Sequence, residues 1–157
     1  MQSPTKKKSS EPLIREYKNP DMETVLNLLK LNTPKFFAPD EEKDLIHYLE
    51  NETEHYFIIE FNDRIVGSGG FNFAENKTIG IISWDILHPD FQGRSFGTAL
   101  LNYRIRELQQ FKELKKIIVR TSQLAYKFYE KAGFRLLDIV EDHWAKGFHM
   151  YRMEYTG

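Results

Sequence analysis

The sequence predicts an α/β (α+β) domain, one mixed and mostly antiparallel central sheet of roughly six to seven strands flanked by about four helices. Three observations predict it. Runs of β-forming residues at 55–61, 64–73 and 79–87 are joined by Asn62-Asp63 and Glu75-Asn76-Lys77, the pattern of an antiparallel meander. Beyond residue 87, strand-like and helix-like runs alternate. Between the strand IGIISWDIL and the helix-forming run that follows it lies Gln92-Gly93-Arg94-Ser95-Phe96-Gly97-Thr98. A strand, a Gly-bearing turn and a helix start place successive backbone N–H groups at the positive end of a helix dipole, where an anion such as a pyrophosphate is favoured.

Residues 1–11 are polar, basic and Ser/Pro-containing, too poor in apolar surface to offset the entropy of ordering, and read as a flexible tail ahead of a single domain at 12–157. Residues 13–17 form a short first strand. Asn19-Pro20-Asp21 then supplies a capping residue and Pro at the first helical position. Met22, Val25, Leu26 and Leu29 recur at helical spacing, so the first helix runs to about Lys30. A loop at 32–39 carries Phe36 and Phe37. Asp40 restarts helical structure to about Glu50, with Leu45, Ile46 and Leu49 inward. The helix after the Gly-bearing turn buries Leu101, Ile105 and Leu108 and ends near Phe111. Residues 116–120 are a strand, 124–132 a helix stopped by Gly133, and 135–140 and 148–155 two closing strands around a loop at 141–147.

With 157 residues the chain suits one domain with a substantial core. A net charge of −1 gives no electrostatic case for nucleic acid or an anionic membrane. The absence of Cys excludes disulfides, thiolate metal sites and a cysteinyl acyl-enzyme, and fits a cytoplasmic protein. Lys6-Lys7-Lys8 is followed by SSEPLIREY rather than an apolar core, and no apolar run approaches membrane-spanning length. The histidines show no metal-ligand spacing, and no metal is expected.

Gln92-x-x-Ser95-x-Gly97, together with FYEKAGF at 128–134, resembles the GNAT family of acyl-CoA-dependent N-acetyltransferases over roughly residues 13–155. Ser95 stands where the family has its first Gly, which implies either a negative φ or a hydroxyl in place of a close backbone approach. The resemblance implies that strands four and five splay apart to admit acetyl-CoA. It implies a coenzyme site of Gln92, Gly93, Arg94, Ser95, Phe96, Gly97 and Thr98 with the main chain of Ile86 and Leu87, and with Ser122, Tyr126 and Tyr129. Ser122 stands in place of the family's usual Asn, with Thr121 and Gln123 beside it.

The reaction implied is acetyl transfer to a primary amine by direct attack in a ternary complex. Tyr129 corresponds to the family's tyrosine that protonates the departing thiolate, and packing against the sheet is its other reading. Ile86 and Leu87 serve equally as core. Strand alternation puts Ile81, Ser83, Asp85 and Leu87 on one face, with Ile82, Trp84 and Ile86 on the other. Three roles stand open for Asp85: anchor of the substrate ammonium, water-mediated proton relay, or a buried structural carboxylate. Phe36, Phe37, Asp85 and Trp144 are the expected acceptor contacts. Glu141-Asp142-His143-Trp144 would make that cleft acidic and aromatic, suited to a cationic amine with an apolar body, and an exposed polar loop with Trp144 folded onto the core is the other reading.

The expected partners are a small-molecule or peptide amine, no nucleic acid, no membrane and at most a second copy in a homodimer. An acyl-CoA-binding sensor without transfer is the competing function.

Overall fold

The computed structural model describes residues 11–157, so the tail expected at the N-terminus lies, apart from Glu11, outside the described residues. The chain runs β1 (Leu13–Glu16), α1 (Met22–Leu31), α2 (Glu41–Asn51), β2 (His55–Phe61), β3 (Arg64–Ala74), β4 (Ile79–Leu87), α3 (Phe96–Gln109), β5 (Lys116–Thr121), α4 (Tyr126–Lys131), β6 (Phe134–Ala145) and β7 (Phe148–Tyr155). The strands form one 7-stranded sheet in the order β1-β2-β3-β4-β5-β7-β6. Among the described residues only β4 and β5 pair in parallel, as a helical crossover through α3 allows.

Period-two burial divides the core. Phe57 and Ile59 of β2 pack with Leu101, Ile105 and Leu108 of α3 and with Tyr129 of α4. Tyr56 and Ile58 face the other way, onto Val25, Leu28 and Leu29 of α1 and Leu45 and Leu49 of α2. Each fully buried Leu or Ile of these layers contributes about 1.5–3 kcal/mol.

Two features of β4 position the site. Its ladder with β5 runs from Ile79↔Lys116 to Ile82↔Val119 and stops, whereas β4 itself continues to Leu87. The sheet therefore forks beyond Ile82. The strand also bulges there. Gly70 pairs with Ser83 and Ser68 with Ile86, so Gly69 alone stands across from Trp84 and Asp85, and Trp84 takes φ +48°.

The bulge overturns the strict alternation expected for this strand. Ile82 lies in the α3 layer and Ile86 in the α1/α2 layer, although their spacing is even. Ser83 bonds Asn72, which also bonds Tyr48 of α2, and Trp84 stacks on Phe37, so both are on the α1/α2 side. Asp85 points to α3 and α4. Glycine is required opposite the bulge, because a Cβ on Gly69 would collide with the Asp85 carboxylate and the Arg104 guanidinium.

Four other expectations change. Asn19–Asp21 is a separate 3-10 turn, and the Asp21 carboxylate caps it by accepting from the Lys18 N–H at 2.8 Å. The helix expected from residue 124 begins at Tyr126, after a turn in which the Leu124 N–H donates to Ser122 Oγ at 3.2 Å. The loop expected at 141–147 is largely strand, since β6 reaches Ala145 through a bulge at Asp142, φ +51°. Ser95 has φ +66°, so of the two alternatives raised by its lack of glycine the negative φ is excluded.

Candidate active site

A cleft of about 1030 Å³ opens at the fork, lined by Ile86, Leu87, Gln92, Gly93, Ser95, Gly97 and Thr98 on one wall and by Ser122, Ala125, Phe128 and Tyr129 on another. Phe36, Phe37, Tyr48, Glu52, Glu54, Asn72, Ser83, Trp84, His143 and Trp144 line its remaining side.

Gly93 (φ +74°) and Ser95 (φ +66°) turn the chain sharply out of β4 and into α3. The first helical N–H groups have no carbonyl one turn behind them. None of the main-chain N–H groups from Gly93 to Thr98 donates a hydrogen bond of ordinary geometry to another described residue. A Cβ on Gly93 would meet nothing within 4 Å, so the approach is open. These donors fit a diphosphate. Side chains contribute less than the sequence suggests. Arg94 lies over the rings of Phe61, Phe91 and Phe96, at 5.1 Å from the Phe91 centroid, and Phe96 is buried core. From these two residues only the main chain is presented to the turn.

Gln92 anchors the turn. Its Nε2 donates to Asn32 Oδ1 at 3.1 Å and to the Leu87 carbonyl at 3.3 Å, while Asn32 Nδ2 donates to the same carbonyl at 3.0 Å and to that of Leu28 at 2.8 Å. The carbonyl that ends β4 is thus fixed by two amides.

On the α3/α4 side, Asp85 meets two partners. Its Oδ1 pairs with Arg104 Nη2 and its Oδ2 accepts from Tyr129 Oη. Arg104 is 1% exposed and also donates to the carbonyls of Gly70 at 3.0 Å and Leu100 at 3.2 Å. Tyr129 is 4% exposed, and burial, reinforced by the Asp85 carboxylate, pushes its hydroxyl well above the ordinary phenol range. The phenol therefore keeps its proton, held on Asp85.

On the α1/α2 side, Asn72 Oδ1 accepts from Tyr48 Oη at 2.7 Å and from Ser83 Oγ at 2.8 Å. Its Nδ2 donates to the Glu52 carbonyl at 2.7 Å and to Glu54 Oε1 at 3.3 Å. Burial also raises the Tyr48 hydroxyl above the ordinary phenol range.

Of the residues singled out in the sequence, the fork brings together Ile86, Leu87, the turn, Ser122 and Tyr129, and it borders Phe36, Phe37 and Trp144. Tyr126 is outside the lining and packs on Tyr151 at 4.7 Å. Gln123 holds the β6–β7 hairpin, donating to the Gly147 carbonyl at 2.6 Å and accepting from the His149 N–H at 3.0 Å. Asp142 is occupied in the same hairpin, accepting from the Gly147 N–H at 2.7 Å. The carboxylates on the α1/α2 side of the cleft are instead Glu41, which accepts from the Ala38 N–H, Glu52, which faces His47, and Glu54, which accepts from Asn72 and Phe73.

Sequence reasoning missed Arg104, Asn32, Asn72 and Tyr48. Arg104 was detectable as a charge on the apolar stripe of Leu100, Leu101, Ile105 and Leu108. Apart from the Leu28 carbonyl one turn behind Asn32, the polar partners of the other three come from other elements and leave no periodic trace.

The fold is that of the N-acetyltransferases. It is similar to the ribosomal-protein-S18-alanine N-acetyltransferase from Escherichia coli (TM-score 0.75, 17% identity, 92% of this chain and 93% of that one). It is also similar to a GNAT family acetyltransferase from Elizabethkingia anophelis with acetyl-CoA bound (TM-score 0.72, 19% identity, 94% and 99%). An aminoglycoside 6'-N-acetyltransferase complexed with coenzyme A has a TM-score of 0.71 at 15% identity, over 90% and 95%. The acetyltransferase (GNAT) family model matches residues 22–134, and the chain belongs to that family. A stretch of 91 residues, 58% of the chain, is 33% identical to an amino-acid acetyltransferase of Buchnera aphidicola subsp. Acyrthosiphon pisum (strain APS) and spans 20% of that relative.

Proposed function

We propose that this chain transfers an acetyl group from acetyl-CoA to a primary amine by direct attack in a ternary complex. The observation that carries the reading is the row of N–H groups from Gly93 to Thr98, without hydrogen-bond partners among the described residues, at the start of α3 beside the fork after Ile82. Bound there by its diphosphate, acetyl-CoA would supply an activated acetyl thioester.

The chain's own residues then divide the work. The main chain of residues 93–98 holds the anion, with Gln92 and Asn32 keeping the turn in register with the end of β4. Backbone groups of Ile86 and Leu87, beyond the reach of β5, border the position of the reacting carbonyl. Tyr129 retains a proton at Oη on the fork wall, donated to Asp85 Oδ2 at rest, and it would act as general acid only when that O–H swings from Asp85 to the departing sulfur. Asp85 has both oxygens engaged, and its role on this reading is to orient the Tyr129 hydroxyl rather than to anchor substrate. Phe36, Phe37, Trp84 and Trp144 give the acceptor wall an apolar, aromatic surface, and Glu52 and Glu54 give it negative charge. The acceptor class is therefore a small-molecule or peptide amine.

A non-catalytic acyl-CoA sensor is the second reading. It is favoured by one observation: the bulge turns Asp85 away from the α1/α2 side and leaves Ser83 where an acceptor-side base would stand. Calorimetric titration with acetyl-CoA and a thiol-release assay across an amine panel test both. Stoichiometric binding with amine-dependent release of CoA supports the transferase. Binding without release above background supports the sensor, and no binding removes both.

A further inference from the structure

The hydroxyls of Ser83 and Tyr48 carry an inference that deepens the transferase reading and rests on it. Both lie on the acceptor side of the cleft, Ser83 being the first residue of β4 beyond its last pair with β5. A hydroxyl has one proton and two lone pairs. The Tyr48 proton goes to Asn72 Oδ1 at 2.7 Å, and that of Ser83 goes to the same oxygen at 2.8 Å, to the Ile81 carbonyl at 3.2 Å or to the Tyr48 hydroxyl, which keeps a second lone pair in each case. The amide cannot be reversed to offer donors instead, because its Nδ2 is committed to the Glu52 carbonyl and to Glu54 Oε1. Asn72 thus fixes both hydroxyls as spent donors, and what they have left to present to the cleft is lone pairs.

Ser83 and Tyr48 bond the same oxygen and also interact with each other, so the two hydroxyls are neighbours and one nitrogen can reach both. A ligand group that matches two acceptors and offers no third requirement is one with two N–H bonds. We infer that Ser83 and Tyr48 form a paired acceptor for the two N–H bonds of the incoming amine, selecting primary over secondary amines and leaving the nitrogen lone pair free to face the fork. An N-methylated amine has a single N–H when neutral, so it leaves one hydroxyl facing carbon. An alcohol likewise satisfies only one. The stacked Phe37 and Trp84 rings, 6.3 Å apart, flank the pair and give the rest of the acceptor an apolar wall.

Ser83→Ala and Tyr48→Phe each delete one oxygen, and the Phe ring keeps the packing of Tyr48 against Tyr56 and Trp84. The probes are benzylamine and N-methylbenzylamine, each titrated into the CoA-saturated protein by calorimetry and each assayed as acceptor with acetyl-CoA. Wild type is expected to prefer benzylamine. Each variant should lose about threefold to tenfold of that preference through KM or Kd, with acetyl-CoA affinity held and a cooperative melting transition lowered only by the roughly 1–6 °C that the lost bond to Asn72 accounts for. An unchanged ratio in both variants overturns the inference, as does failure of both amines to bind. If wild type binds benzylamine with the Ser83- and Tyr48-dependent preference but transfers nothing, the paired acceptor stands and the transferase reading falls. If transfer proceeds with a ratio indifferent to both hydroxyls, the reverse holds.

Discussion

Replacing Arg104 with Met tests the polar centre beneath the fork. Met restores most of the buried apolar stem but removes the guanidinium that faces Asp85 Oδ1 and bonds the carbonyls of Gly70 and Leu100. Breaking a buried ion pair from one side costs about 3–5 kcal/mol, because the abandoned charge keeps its desolvation penalty. The Asp85 side chain is 21% exposed, which lets water recover part of that penalty and places the expected loss near the low end, about 3 kcal/mol. For a domain of this size that corresponds to a fall in melting temperature of roughly 6–12 °C. Urea unfolding followed by fluorescence suits the measurement, since Trp84 adjoins Asp85 in the bulge. Combining Arg104→Met with Asp85→Asn removes the stranded charge while leaving an acceptor for Tyr129, so the double variant should be more stable than Arg104→Met alone. A loss below about 1 kcal/mol for Arg104→Met, or single-variant losses that simply add in the double, would refute the reasoning.

Four further outcomes are expected. Tyr129→Phe lowers kcat by about a hundredfold or more while changing acetyl-CoA affinity little, and equal turnover across the pH range removes the acid role. Gly69→Ala destabilises by about 2 kcal/mol or more, since its Cβ has no place beside Asp85 and Arg104, and chemical denaturation measures it. Ser95→Gly raises stability by up to about 1 kcal/mol and Ser95→Val lowers it, because φ +66° is strained for any residue with a Cβ and worst for a β-branched one. Arg15 holds the Asp21 carboxyl below the usual range against an opposing effect of burial. A depressed folded pKa gives stability that is present above the unfolded value of about 3.9 and is lost as pH falls through the folded value. Asp21→Asn should therefore reduce stability at neutral pH and flatten its decline in acid.

The parts of the fold legible in the sequence are those governed by local signals. β4 and β7 begin and end where their apolar runs do, and the turn between β4 and α3 follows from its glycines and the helix start. The side-chain directions of β4 were not legible, because a single extra residue reverses everything after it. Nothing about a Trp suggests φ +48°, and the distant Tyr56 hydroxyl bonds its carbonyl at 2.9 Å. The Gly67-Ser68-Gly69-Gly70 run was the available sign, since glycine inside a strand marks a bulge or a close approach. β6 was cut short for a related reason: Asp142 carries the chain through an irregularity that resembles a loop in composition, while the strand resumes beyond it. The Asp85–Arg104–Tyr129 cluster joins three elements far apart in the chain, and only the charge on an apolar stripe hinted at it.

Asn32 sits where two structural neighbourhoods share a single side chain. Its amide fastens the last turn of α1 to the end of β4 and, through Gln92, to the bend that precedes α3. A guest that shifts the bend must drag α1 along or break that latch, and α1 leads directly into the Phe36–Phe37 segment. Were occupancy to shift the bend, the strain would reach the Phe36–Phe37 side through this one amide, and thermodynamic reciprocity would make the influence equal in both directions.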